Sequence, residues 1–174
     1  MYLKKTVFYL FILASSVFFL NGCMPSPYYQ KSYTLPGNEW AYSHAPAFKF
    51  EIDDTAAMYN LYFIIRHTEA YPFSNIWLWI YTKQPGEKTF QKSRIEIPLA
   101  EPSGKWLGRG MGEIWEQRMP ITQDNQPMVF SKPGIYEIRF EQNMRINPLP
   151  EILQVGLRVA NMGHRKAPIT AKKS

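Results

Sequence analysis

The chain has 174 residues, with 20 Lys+Arg against 14 Asp+Glu, a formal charge of +6, 45% hydrophobic and 16% aromatic residues. That hydrophobic share excludes a disordered chain, and the length suits one domain with a proper core rather than two. The single cysteine, Cys23, excludes an internal disulfide and a cysteine-based zinc cluster, and bases interspersed with acids argue against a nucleic-acid-binding stripe.

Met1–Lys5 is a short basic start, and Val7–Leu20 follows as an uncharged apolar run. A membrane-spanning helix takes about 20 apolar residues, so this run fits the apolar region of a secretory signal instead. It ends in Leu20-Asn21-Gly22-Cys23, which is similar to a bacterial lipobox. The likeness implies cleavage between Gly22 and Cys23, a diacylglyceryl thioether on Cys23, and acylation of the new amine, palmitate being one such chain. Each buried methylene contributes about 0.8 kcal/mol, so one chain holds weakly and three hold firmly. Loss of residues 1–22 removes Lys4 and Lys5 but no acid, leaving 18 bases against 14 acids, a charge of +4.

Residues 23–42 are rich in Pro, Ser, Tyr and Asn without sustained period and read as a flexible tether. Strands follow. Phe48, Phe50 and Ile52 alternate with Lys49 and Glu51; Tyr59, Leu61, Phe63 and Ile65 lie in a nearly continuous apolar run, which predicts a central strand. Ile76–Thr82 is another strand. In Lys92–Leu99, Ile95, Ile97 and Leu99 oppose Arg94 and Glu96. Ile135–Gln142 sets Tyr136, Ile138 and Phe140 inward, and Leu153, Val155, Leu157 and Val159 are in step beyond it. Pro85-Gly86, Pro102-Ser103-Gly104 and Pro133-Gly134 mark reversals, and Asn147-Pro148-Leu149-Pro150 could precede one helical turn. About eight short strands predict an all-β chain forming a single β-sandwich of jelly-roll type over residues 43–162. Residues 163–174 form a basic tail, expected to be mobile.

Catalytic patterns are missing: no G-x-S-x-G elbow, no HExxH and no P-loop. His44, His67 and His164 are scattered, which favours structural or solvated roles. Asp53-Asp54 reads as turn and cap chemistry, while Glu113 and Glu116 flank Trp115 and could line a sugar site. Glycines at 104, 108, 110 and 112 leave an extended segment bare, so that a bulky ring can lie on its backbone. No metal or cofactor site is expected.

The most informative stretch is Ile76-Trp77-Leu78-Trp79-Ile80-Tyr81. Ile76, Leu78 and Ile80 form an ordinary core face. Trp77, Trp79 and Tyr81 form the other, which must be covered by another part of the chain, by a sugar or by a partner protein. Trp106, Arg109, Trp115 and Arg145 are the further candidates for a partner or ligand surface.

Five segments carry a family resemblance: Phe48–Asp54 (FKFEIDD), Tyr59–Thr68 (YNLYFIIRHT), Tyr71–Leu78 (YPFSNIWL), Pro102–Gly110 (PSGKWLGRG) and Glu141–Leu149 (EQNMRINPL). In this order the chain from about Trp40 to Val159 resembles the gliding motility lipoprotein family GldH of Bacteroidetes, whose lipobox position corresponds to Cys23. The resemblance implies a non-enzymatic, lipid-anchored outer-membrane protein associated with gliding and type IX secretion proteins. The absence of an acidic run after Cys23 favours a periplasm-facing anchor, and Met24 in place of Asp argues against inner-membrane retention. The competing expectation is an envelope carbohydrate-binding lipoprotein that stacks sugars on Trp77, Trp79, Trp106 or Trp115.

Overall fold

The computed structural model describes residues 28–122 and 126–164, so Gly22, Cys23 and the tail beyond His164 lie outside the described residues. Eleven strands run through the described chain: β1 (Tyr29–Thr34), β2 (Glu39–Trp40), β3 (Ala47–Ile52), β4 (Ala57–Thr68), β5 (Asn75–Lys83), β6 (Gln91–Pro98), β7 (Arg109–Met111), β8 (Ile114–Pro120), β9 (Gly134–Gln142), β10 (Leu149–Pro150) and β11 (Ile152–His164). One sheet has the order β1-β11-β4-β8-β7, the other β3-β9-β5-β6, and β2 with β10 forms a short ribbon.

All ladders are antiparallel, and their pairing is nested: β1 with β11, β3 with β9, β4 with β8, β5 with β6. Nested pairs of this kind wound into two sheets are a jelly roll, the architecture that the strand spacing predicts. β7 is an extra strand outside β8. Alternation decides which residues face the core. Phe48, Phe50 and Ile52 of β3 meet Leu61, Phe63 and Ile65 of β4 and Val155, Leu157 and Val159 of β11 in one buried cluster. Phe63 and Phe140 bind the two sheets edge-to-face, with ring centroids 5.0 Å apart. β4 lies third of five in its sheet, the central position that its apolar run predicts.

Three expectations are corrected in detail. Residues 29–34 are not tether. They form β1, the first strand of the jelly roll, held along β11 from Tyr29↔Val159 to Thr34↔Gln154. Only Tyr29 and Tyr33 turn toward the core, Tyr33 packing on Phe48 and donating from its hydroxyl to Ala47 O. The strand needs Gly156 opposite it, because a Cβ there would come within 2.3 Å of Ser32 Oγ. Second, a register shift between Ile152 and Gln154 buries Ile152 instead of Leu153, as a bulge does. Third, Leu149–Pro150 pairs with β2 as a strand, and the expected helical turn is not there. At the other terminus Gly163 and His164 complete β11, with His164 Nε2 2.8 Å from Asp54 Oδ2.

The start of β1, the β3–β4 turn, the β5–β6 and β8–β9 loops and the end of β11 share one end of the sandwich. The β4–β5, β6–β7 and β9–β10 connections and the β7–β8 turn share the other.

Candidate functional site

Strand β5 is inner in its sheet, so both its faces are set by neighbours. Ile76, Leu78 and Ile80 are buried in the core, whereas Trp77, Trp79 and Tyr81 stand half-buried on the outer face. Their cover comes from the chain itself. Across the ladder β6 places Glu96 opposite Trp77, Arg94 opposite Trp79 and Lys92 opposite Tyr81. The cations lean along the face. The Arg94 guanidinium lies 4.1 Å from the Trp77 centroid, and Lys92 Nζ lies 4.1 Å from that of Trp79 and 5.0 Å from that of Tyr81. A cation over an aromatic face is attracted by the ring quadrupole, so the five side chains form a ladder of alternating rings and charges.

The flanks fix this ladder in place. With its carboxamide oxygen turned to Arg94, Asn143 accepts from Nε at 2.8 Å, and its backbone N–H donates to Trp77 O. The buried Gln142 donates to Trp40 O and Ile146 O and accepts from Met144 N, which holds the turn carrying Arg145. At the far rung the Tyr81 hydroxyl donates to Glu141 Oε2 at 2.8 Å. Beyond it, the buried Glu137 collects Arg139, Lys83 and Lys49. Burial alone pushes its carboxyl up, but the hydrogen bonds from Arg139 and Lys83 outweigh it and hold the group below the usual value. Arg139 and Lys83 also cover Phe90.

Two shallow recesses open on this face. One, of about 370 Å³, lies among Phe73, Trp77, Arg94, Asn143, Met144 and Arg145; the other, of about 410 Å³, among Tyr81, Phe90, Lys92, Arg139 and Glu141. Lys92 and Arg94 are exposed, and neither is within ion-pair distance of a carboxylate among the described residues. The fold therefore brings Trp77, Trp79, Tyr81 and Arg145 together, with Lys92 and Arg94 as members that sequence reasoning left out. Their signal was present in the outward parity of Arg94, but the register across the β5–β6 loop, 84–90, was needed to match it to a ring.

The other candidates lie elsewhere. Trp106 packs on His67 with centroids 4.6 Å apart and belongs to the wall of the core. The ring of Trp115 lies on Gly110, where a Cβ would come within 3.0 Å of it, as the bare glycine segment predicts. Arg109 is exposed on β7, in the other sheet. Glu116 is flanked by Arg66 at 3.4 Å and Arg118 at 3.1 Å, and Glu113 is exposed in the β7–β8 turn. Asp54 accepts from the N–H groups of Ala56 and Ala57, the turn chemistry expected of it. His67 is fully buried; its Nδ1 donates to Thr68 O and its Nε2 has no partner among the described residues. Burial depresses its basicity, and the Thr68 bond offsets this only in part.

Residues 27–159, from just before β1 to the end of the core-facing part of β11, match the family described as GldH lipoprotein. The chain belongs to that family. A gliding motility lipoprotein GldH homolog of Christiangramia forsetii is 25% identical over 162 residues, covering 89% of this chain and 96% of that protein. The gliding motility lipoprotein GldH of Flavobacterium johnsoniae is 25% identical over 134 residues, 73% of this chain and 80% of its own. Among solved structures, one described as "nora virus structure" is similar over 84% of this chain and 60% of that one, at 16% identity and a TM-score of 0.22. The resemblance drawn from the sequence motifs is thus borne out. The GldH match also includes β1, in agreement with its place in the jelly roll.

Proposed function

We propose that this chain is a gliding-motility lipoprotein held by lipids on Cys23 at the outer membrane, facing the periplasm. It acts without catalysis, as an accessory part of the gliding and type IX secretion apparatus. The outer face of the β3-β9-β5-β6 sheet is its partner surface. The GldH relatives support the role, and the Trp77–Arg94–Trp79–Lys92–Tyr81 ladder supports the surface. Guanidinium groups on indole faces are weakly hydrated and keep their donors for carboxylates, while aromatic residues and arginine carry much of the energy of protein interfaces. A partner presenting carboxylates to Arg94, Lys92 and Arg145 fits it. A sugar stacked on Trp77 or Trp79 would have to displace Arg94 or Lys92, which disfavours the carbohydrate reading.

The test is cross-linked co-purification from membranes with the double variant Arg94→Glu, Lys92→Glu, alongside Cys23→Ala. The double variant should stay in the membrane fraction, keep its circular dichroism and lose its partners. Cys23→Ala should leave the membrane. Unchanged partners in the double variant would remove the surface from the account.

A further inference from the structure

The large hydrophobic side chains left exposed are not spread evenly. Among the described residues eight are exposed, and five of them, Tyr28, Met128, Val129, Ile135 and Met162, lie at the end where β1 begins. Tyr59 ties most of them together. The Tyr28 ring packs edge-on against it at 5.3 Å, Met128 exchanges backbone hydrogen bonds with it at 2.7 and 2.8 Å, and Asn161, next to Met162, pairs with it from β11. Ile135 stands on the outer flank at the start of β9, opposite Glu51. The charged groups at this end include both signs: Glu51, Asp53, Asp54 and Glu87 against Lys83, Lys88, Lys132 and His164. Asp54 is already occupied by Ala56, Ala57 and His164. What distinguishes this end is apolar area, not net charge.

The chain outside the structure says what covers it. Tyr28 is five residues from Cys23. Five extended residues reach at most about 18 Å. The headgroup layer of a leaflet is itself roughly 5–8 Å deep. Lipids on Cys23 would therefore hold this end of the sandwich within a short reach of the bilayer, with the opposite end farther away by the length of the strands.

We infer that this end is a second membrane contact, at which Tyr28, Met128, Val129, Ile135 and Met162 rest in the headgroup layer of the bilayer that holds Cys23. The inference depends on the lipid anchor proposed above. Tyrosine and methionine suit such a site, the one through its amphipathic ring and the other through its adaptable thioether. The sandwich then stands on end. Its aromatic–cation face is upright, and the connections bearing Arg145 are carried away from the membrane by the length of β5, nine residues or about 30 Å.

The experiment uses the lipidated full chain in vesicles of phosphatidylethanolamine and phosphatidylglycerol doped with a nitroxide-labelled phospholipid. A polarity-sensitive fluorophore is placed through Val129→Cys, or through Met111→Cys at the opposite end. Both positions are more than half exposed, at 57% and 74%. The fluorophore at 129 should shift its emission to the blue and be quenched by the nitroxide lipid, whereas at 111 it should emit as in water and escape quenching. A water-like, unquenched signal at 129 on chains that float with the vesicles overturns the inference and leaves the anchor standing. A signal at 129 that is shielded from water yet unquenched also overturns it, since a protein or a second copy would then be the cover. Failure of the anchor reads differently: Cys23 takes up the label in the wild-type chain and nothing floats.

Discussion

Arg94 pairs with Trp79 across the β5–β6 ladder but stacks on Trp77, its guanidinium 4.1 Å from that ring and 5.9 Å from the ring it faces. The offset leaves Trp79 for Lys92, so each cation serves the ring one step along the diagonal. Glu96, the residue opposite Trp77, instead accepts from Asn75 and leaves that ring to Arg94.

Arg94→Ala should cost little stability and much recognition. An exposed cation–π contact contributes about 0.5–1 kcal/mol, so thermal unfolding should shift by only a few degrees. Arg94→Lys keeps the charge but loses the planar stack and the paired donors to Asn143, and should fail to restore partner capture in a pull-down.

Gly108, in the β6–β7 connection, lies directly against β8. It has φ +98°, and a Cβ would fall 2.4 Å from Glu116 O. Gly104, at φ +86°, has open space around it. Each alanine replacement brings backbone strain of about 1–3 kcal/mol. Gly108→Ala should cost clearly more than Gly104→Ala in chemical denaturation, because only the first adds a collision.

Gln117 is buried and donates from Nε2 to Leu99 O at 2.6 Å and to Leu107 O at 2.5 Å. Gln117→Leu leaves Leu107 O without its donor, whereas Leu99 O keeps the Leu107 N–H, and a buried polar group left unpaired costs about 1–3 kcal/mol. The expected result is a matching fall in unfolding free energy, with increased amide exchange at Leu107, whose N–H bonds Leu99 O.

His67 makes stability depend on pH. Burial lowers its pKa from 6.5, so the unfolded chain takes up the proton first as the pH falls. Its contribution to stability is whole above pH 6.5 and is lost as the pH drops from there toward the lower folded value. His67→Phe keeps a ring against Trp106 and Tyr71 and should flatten that part of the stability–pH curve.

The sandwich was legible because its main strands alternate cleanly. Phe48-Lys49-Phe50-Glu51-Ile52 gives one face to the core and one to water, and Tyr136 to Glu141 gives one to the core and one to a charged outer face. β1 was not legible, because an edge strand that covers little core carries only two tyrosines, Tyr29 and Tyr33, among polar residues. A chain beginning at Tyr28 should fold, while one beginning at Leu35 exposes the edge of β11 and should aggregate in sedimentation. The aromatic half of the candidate surface could be read from residues 77–81. Its cationic half could not, since which side chain of β6 meets which ring is decided by a ladder register that no local pattern encodes. Trp106 and Trp115 look like surface rings in sequence, and only the neighbours His67 and Gly110 show them to be packing.

The partner surface itself is most directly tested by photo-cross-linking in intact membranes, with a photoreactive residue replacing Lys92 or, on the outer face of the other sheet, Arg118. Cross-links to other envelope proteins from position 92, and few from 118, are the predicted result. Adducts of equal yield from both positions, or from 118 alone, would contradict the assignment of recognition to the Trp77–Tyr81 face.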